Sequence, residues 1–180
     1  MKIKTKYFII LLCLIVLFCF YRYYKVNENV PSKFSIEYSS AEEIVKCDKI
    51  QFKIISYKTQ DVIVEENEGI EGQKSMINVT VEAEIKNTSN NIESAAMFIE
   101  SSLGIGYYKY QTSKWDFDKS KIKNLNPEET INLKAIYSVK KDIYERSNKK
   151  AILYIPTKLY EKELLEKYKL GIRYGKAIKL

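Results

Sequence analysis

A chain of 180 residues with 15 tyrosines, 3 cysteines and no histidine cannot run Ser-His-Asp or Cys-His catalysis, nor build a histidine-ligated zinc site. Its 30 lysines and arginines exceed its 23 acids by 7, yet five of those bases (Lys2, Lys4, Lys6, Arg22, Lys25) flank the first apolar run, which leaves Val26–Leu180 with 25 against 23. So balanced a region has no electrostatic footprint for a phosphate backbone, and no nucleic-acid partner is expected.

The first element is the apolar run Phe8–Phe20 (FIILLCLIVLFCF), bordered by Tyr7 and Tyr21. With its flanks it predicts a membrane-crossing signal anchor over residues 7–24, and a bilayer is the expected partner of that segment. Tyr7 and Tyr21 suit the headgroup level, while Lys6 and Arg22 can snorkel outward and lengthen the span. The residues that follow (Tyr21, Arg22, Tyr23, Tyr24, Lys25) are too bulky for a signal-peptidase site, which favours an uncleaved anchor. A lipoprotein signal at Cys13 or Cys19 is disfavoured, because Leu12 and Phe18 stand where a small residue is needed. Lys2, Lys4 and Lys6 outweigh Arg22 and Lys25, so residues 1–6 are expected as a cytoplasmic tail and the rest as extracytoplasmic. Residues 25–35, polar and broken by Pro31, read as a tether.

From residue 36 to 180 the period is two, and the expectation is an extracytoplasmic all-β domain. Ile77, Val79, Val81, Ala83 and Ile85 fall on one face, and so do Ile131, Leu133, Ala135, Tyr137 and Val139. Shorter alternations occur at Phe34/Ile36/Tyr38, at Ile50/Phe52/Ile54 and over Leu170–Leu180, where Gly175 marks a bend or bulge. Turn chemistry separates them at Glu65–Gly72, Asn87–Asn91 and Leu125–Glu129. Such recurrence predicts a sandwich or barrel, and of these an antiparallel sandwich is the fold expected. Thr157–Tyr168 (TKLYEKELLEKY) differs: Tyr160, Leu164 and Tyr168 share a face, so one short helix near the C-terminus is expected, its glutamates solvated.

Two segments together resemble a known pattern: a strand ending in an asparagine turn, VTVEAEIKNTSNN (Val79–Asn91), and a leucine-x-proline-acid turn into a second strand, LNPEETINLKAIYSV (Leu125–Val139). The chain resembles the uncharacterised, membrane-anchored extracellular β-sandwich domains of low-GC Gram-positive bacteria, which are similar in fold to the immunoprotective extracellular protein of mycobacteria. The resemblance implies an immunoglobulin-like sandwich on a membrane-spanning or lipidated N-terminus. It supplies no catalytic residues. In the commoner form a glycine follows the proline; here Glu128 stands there.

Chemistry-bearing candidates are few. Asp116 and Asp118 could aim two carboxylates at one cation if both lay on a strand, but two are too few for calcium, so no metal is expected. Gly104 and Gly106 lack the third glycine of a dinucleotide fingerprint and read as a turn or bulge. No cofactor is expected. Cys47 reads as a half-buried apolar residue rather than a reactive thiol. Asn78 and Asn87 match glycosylation sequons by chance. Tyr107, Tyr108 and Tyr110 form an aromatic cluster, with Tyr108 and Tyr110 the candidate contact site and Tyr107 expected inside. The function expected is a non-enzymatic cell-envelope surface module that binds or scaffolds an envelope protein or glycan. The alternatives are an assembly or immunity subunit pairing with another membrane protein, and an enzyme restricted to carboxylate chemistry such as a glycosidase.

Overall fold

The computed structural model describes residues 2–64 and 74–180; the expected Glu65–Gly72 turn lies outside them. The apolar run is helical over α1, Lys2–Asn27, and its stretch Lys6–Asn27 is long and apolar enough to cross a membrane, with none of it buried against the rest of the chain. Lys6, Tyr7, Tyr21 and Arg22 are all exposed on it.

The rest is a β-sandwich. Its strands are β1 (Lys33–Ser40), β2 (Val45–Lys46), β3 (Ile50–Val64), β4 (Lys74–Asn87), β5 (Ser102–Ile105), β6 (Tyr108–Gln111), β7 (Lys114–Asp116), β8 (Thr130–Lys140), β9 (Ile152–Tyr154) and β10 (Ile172–Lys179). They form two five-stranded sheets, in the orders β1-β10-β9-β5-β6 and β2-β3-β4-β8-β7. The inward faces read from the sequence are the buried ones: Ile77, Val79, Val81, Ala83 and Ile85 on β4 meet Val139, Tyr137, Ala135, Leu133 and Ile131 on β8, residue opposite residue. Each valine, leucine or isoleucine among them, withdrawn from water, contributes about 1.5–3 kcal/mol. Phe52 and Phe98 close the middle edge to face at 5.1 Å, and Phe98 continues to Trp115 at 6.4 Å.

Five expectations need correction. The sandwich is not wholly antiparallel, because β1 runs parallel to β10 along its full length. The segment expected as a tether is helical to Asn27 and in strand from Lys33, leaving only residues 28–32 between. Phe34 and Tyr38 alternate as expected but look outward from the edge strand, with Phe34 73 % exposed. The described residues of the domain also hold two α-helices: α2 (Lys141–Arg146) as well as α3 (Glu161–Lys169), which overruns the expected Thr157–Tyr168 segment by one residue. α2 fills the β8–β9 connection, its Ile143 and Tyr144 buried at one end of the core. Gly175 marks no bulge; it lies in continuous register opposite Ile36, and the irregularity is instead in β3 between Ile54 and Ser56.

The two turns of the sequence pattern are one structure. Asn87 is fully buried where β4 ends. Its side-chain amide donates to the carbonyls of Asn91 (2.7 Å) and Leu125 (2.9 Å), and its Oδ1 accepts the Ser89 N–H (2.8 Å). Its backbone N–H donates to Glu129 (3.0 Å), and its carbonyl accepts from Glu128 (3.2 Å). Residues 126–129 form a type II turn, with Pro127 at its second position, Glu128 at φ 63° and the Glu129 N–H donating to Asn126 at 3.0 Å.

Candidate functional site

Two places gather polar or aromatic chemistry. The first is the β5–β6 hairpin. Ile105 pairs with Tyr108, so Gly106 and Tyr107 alone make the turn. Gly106 at φ 58° supplies the left-handed first position that such a two-residue turn demands. The geometry leaves Tyr107, the residue expected inside, fully exposed at the tip, with Tyr108 more than half exposed beside it. Tyr110 pairs with the buried Leu103 and packs against the core; burial, followed by the neighbouring Tyr108 and Asp142, raises its phenol pKa. Tyr110 is thus a half-buried support, and Tyr107 takes its place in the exposed pair. Gly106, Tyr107 and Tyr108 face Ile143, Arg146 and Ser147 of the α2 region across an open cleft of about 300 Å³. Arg146 is oriented there by Asp142, at 2.6 Å. A two-residue tip between short alternating runs was the signal for Tyr107; clustering alone could not say which ring turned outward.

This tip has a definite address. Gly104 pairs with Ile152, which pairs with Lys179 at the far end of β10. The chain enters the sandwich at Lys33, opposite Ile172 at the near end of β10. The hairpin therefore projects from the end opposite α1, roughly 23 Å or more away along the strand.

The second place is an ionisable cluster inside the sandwich edge, beneath α3. Lys176 on β10 is nearly buried, its ammonium donating to Glu163 of α3 (2.8 Å) and to the Lys46 carbonyl (2.8 Å), 5.7 Å from the centre of the Tyr160 ring. Tyr174, two residues earlier, donates its hydroxyl to Glu37 of β1. Tyr160 accepts the Lys176 N–H (3.1 Å) and donates to the Ile155 carbonyl (3.3 Å). Burial alone would raise the Glu163 pKa, but hydrogen bonds from Lys176 and Tyr174, with the charges of Lys176 and Lys167, outweigh it and hold the carboxyl below its usual range. Burial dominates at Tyr174 and, with the bonds to Glu37 and Glu163, raises its phenol pKa strongly. Cys47 lies alongside, its thiol pushed up to about 12, mainly by burial and only partly offset by Lys176. A thiol so protonated is a poor nucleophile. Sequence reasoning missed Lys176 and placed Glu163 on a solvated face; the signal was the period Tyr174–Lys176–Ile178, which puts a lysine at an inward position.

Asp116 and Asp118 are not paired on a strand. β7 ends at Asp116, and Asp118 turns back to accept from Ser120 Oγ (2.6 Å), Ser120 N–H (2.9 Å) and Lys121 N–H (3.1 Å), which holds its pKa down. Among the described residues no three His, Cys, Asp or Glu side chains converge as a metal site. A larger cleft of about 490 Å³ runs past Asp48, Lys49, Glu93 and Lys162; there Lys49 pairs with Glu93 at 3.0 Å and Asp48 accepts the Lys162 backbone N–H at 2.7 Å.

No protein-family model and no curated protein sequence matches the chain. Solved structures do. A β-sandwich protein of Clostridium difficile 630 superposes with a TM-score of 0.52 at 15 % identity, covering 83 % of this chain and 97 % of its own. A protein of unknown function from Listeria monocytogenes EGD-e does so with a TM-score of 0.50 at 17 % identity, covering 66 % and 72 %. At such identities the likeness is one of fold, and the chain shares its β-sandwich with these bacterial proteins.

Proposed function

We propose that the protein is a non-enzymatic module of the cell envelope in Gram-positive bacteria. In this reading α1 spans the bilayer over residues 7–24 with its N-terminus inside, and the sandwich stands outside and offers its distal hairpin to an envelope protein or glycan. The observation that carries the proposal is the full exposure of Tyr107, beside Tyr108 and the Arg146 cleft, on the end of the sandwich opposite the anchor. Exposed aromatic rings on a rigid two-residue turn offer contact area at little entropic cost. The internal pairing of the Lys176 cluster supports a holding role there rather than a catalytic one.

An immunoglobulin-like strand order, and with it the likeness to the immunoprotective extracellular protein, belongs to the same reading. With β3 to β10 taken as A, B, C, C′, D, E, F and G, the sheets read A-B-E-D and G-F-C-C′, which supports an immunoglobulin-like order; β1 and β2 are additions at the two edges. The assembly-subunit alternative draws on β3, whose outer edge beyond Phe52 has no partner strand among the described residues.

A photo-crosslinking amino acid at position 107 or at Lys58, on the β3 edge, in bacterial cells producing the full chain, tests both. Adducts from position 107 that Tyr108→Ala and Arg146→Ala diminish are the expected result. Adducts from position 58 alone would transfer the contact to the β3 edge, and none from either would overturn the binding role.

A further inference from the structure

We propose that the near end of the sandwich is a second membrane contact, in which Leu170 and Phe34 enter the headgroup layer while Lys33, Lys169 and Arg173 meet anionic lipid headgroups. The inference rests on α1 spanning the bilayer and adds a surface that this reading does not require.

Five residues (28–32) join α1 to β1, a path of at most about 20 Å fully extended. The path is shorter than that, because Val30 donates back to the Asn27 carbonyl at 3.1 Å and Pro31 is buried against the domain. Where the chain enters, the Lys33 N–H donates to the Gly171 carbonyl at 3.3 Å, so the turn between α3 and β10 lies beside the entry strand. Gly171, at φ 74°, makes that turn and pushes Leu170 out, 72 % exposed; Phe34, across from Arg173, is 73 % exposed, and Tyr168 nearly half. The sandwich thus carries its exposed Leu170 and Phe34 at the end tied to the helix.

Charge agrees with this placement. Lys33, Lys169 and Arg173 are all exposed, and residues 29–36 and 167–173 contain no acid. Of the carboxylates nearest in sequence, Glu37 is engaged by Tyr174, Glu163 by Lys176 and Glu28 by Lys25, which leaves Glu166. Apolar side chains flanked by lysine and arginine are the recipe for interfacial binding, where insertion and attraction to anionic lipid act together. A protein partner would have no reason to sit where the bilayer already is.

The test uses the full chain reconstituted in phosphatidylglycerol vesicles with bromine-labelled acyl chains, the emission of native Trp115 being subtracted. Leu170→Trp should lose about half its emission to the bromines, and Tyr107→Trp, at the distal tip, should lose none. Lys33→Glu with Arg173→Glu, or phosphatidylcholine vesicles, should restore the emission. Phe18→Trp within α1 separates the two claims. If Phe18→Trp is quenched and Leu170→Trp is not, the sandwich stands clear of the bilayer and this proposal fails alone. If Phe18→Trp is not quenched, the anchor reading and this proposal fall together.

Discussion

Removing Glu163 should cost more than removing Lys176, although the two form one ion pair. The Lys176 side chain is 8 % exposed and that of Glu163 33 % exposed. Glu163→Ala strands an ammonium with one carbonyl, that of Lys46, and the face of the Tyr160 ring. Breaking a fully buried pair this way costs about 3–5 kcal/mol, and the partial exposure of Glu163 brings the figure to about 2–3. Lys176→Met instead removes the trapped charge, keeps the aliphatic stem, and leaves Glu163 with water and Tyr174, for about 1 kcal/mol. For a domain of this size the first loss lowers the melting temperature by roughly 5–10 °C. Urea and thermal unfolding of the full chain in detergent, read by Trp115 emission at pH 7, measure both. The double variant should fall short of the sum, since neither charge then remains unpaired. The folded pKa of Glu163 is depressed, so its contribution is complete above its ordinary value of 4.5 and is lost as pH falls through the depressed one. Wild type should lose stability in that acid window more steeply than Glu163→Gln. A Lys176→Met variant as unstable as Glu163→Ala would refute the reasoning.

Glu128→Gly should stabilise the domain by about 0.5–1 kcal/mol, because glycine takes φ 63° without a Cβ penalty; the gain is net of the exposed ion pair with Lys86, and urea midpoints report it. Asn87→Ala orphans two carbonyls and one N–H where β4 ends and should cost about 2–3 kcal/mol in the same assay, well beyond an Asn91→Ala control. A Cβ at Gly104 would stand 2.5 Å from the Tyr154 ring, so Gly104→Val should unfold at least about 1–3 kcal/mol more easily; unchanged stability would mean that the ring swings away. In a Cys13→Ser/Cys19→Ser background Cys47 should react with iodoacetamide at pH 8 at least about tenfold more slowly folded than in urea, as mass spectrometry would show. Because that thiol titrates higher when folded, the stability it carries is full below the ordinary value of 9.0 and declines as pH rises from there toward about 12.

The faces of β4 and β8 were legible residue by residue, because both strands are central and one side of each must leave water. β1 shows why the same alternation can mislead: Phe34, Ile36 and Tyr38 keep the period, but an edge strand laid on β10 can turn either face outward, and period alone carries no sign. The parallel pairing joins Lys33 to Ile172, a contact that no local pattern encodes. α2 was invisible because six residues following a strong strand leave no helical period to read. At the hairpin, composition found the tyrosines, while the turn geometry set by Gly106 decided that Tyr107 and Tyr108, rather than Tyr108 and Tyr110, face outward. The charged cluster stayed hidden because a lysine and a glutamate on surface-looking segments become partners only when α3 folds onto β10.

The parallel pairing of β1 with β10 also sets how the domain would bear a pull. Any tension between the helix and the distal hairpin enters through the N-terminal end of β1 and is directed along its axis. A strand drawn lengthwise past its neighbour must give up its rungs together, whereas one peeled sideways yields them one at a time. All eight residues from Lys33 to Ser40 lie in register with β10, so they resist such a pull as a group. Tension of that kind loads the rungs of the first strand together before it opens the sandwich.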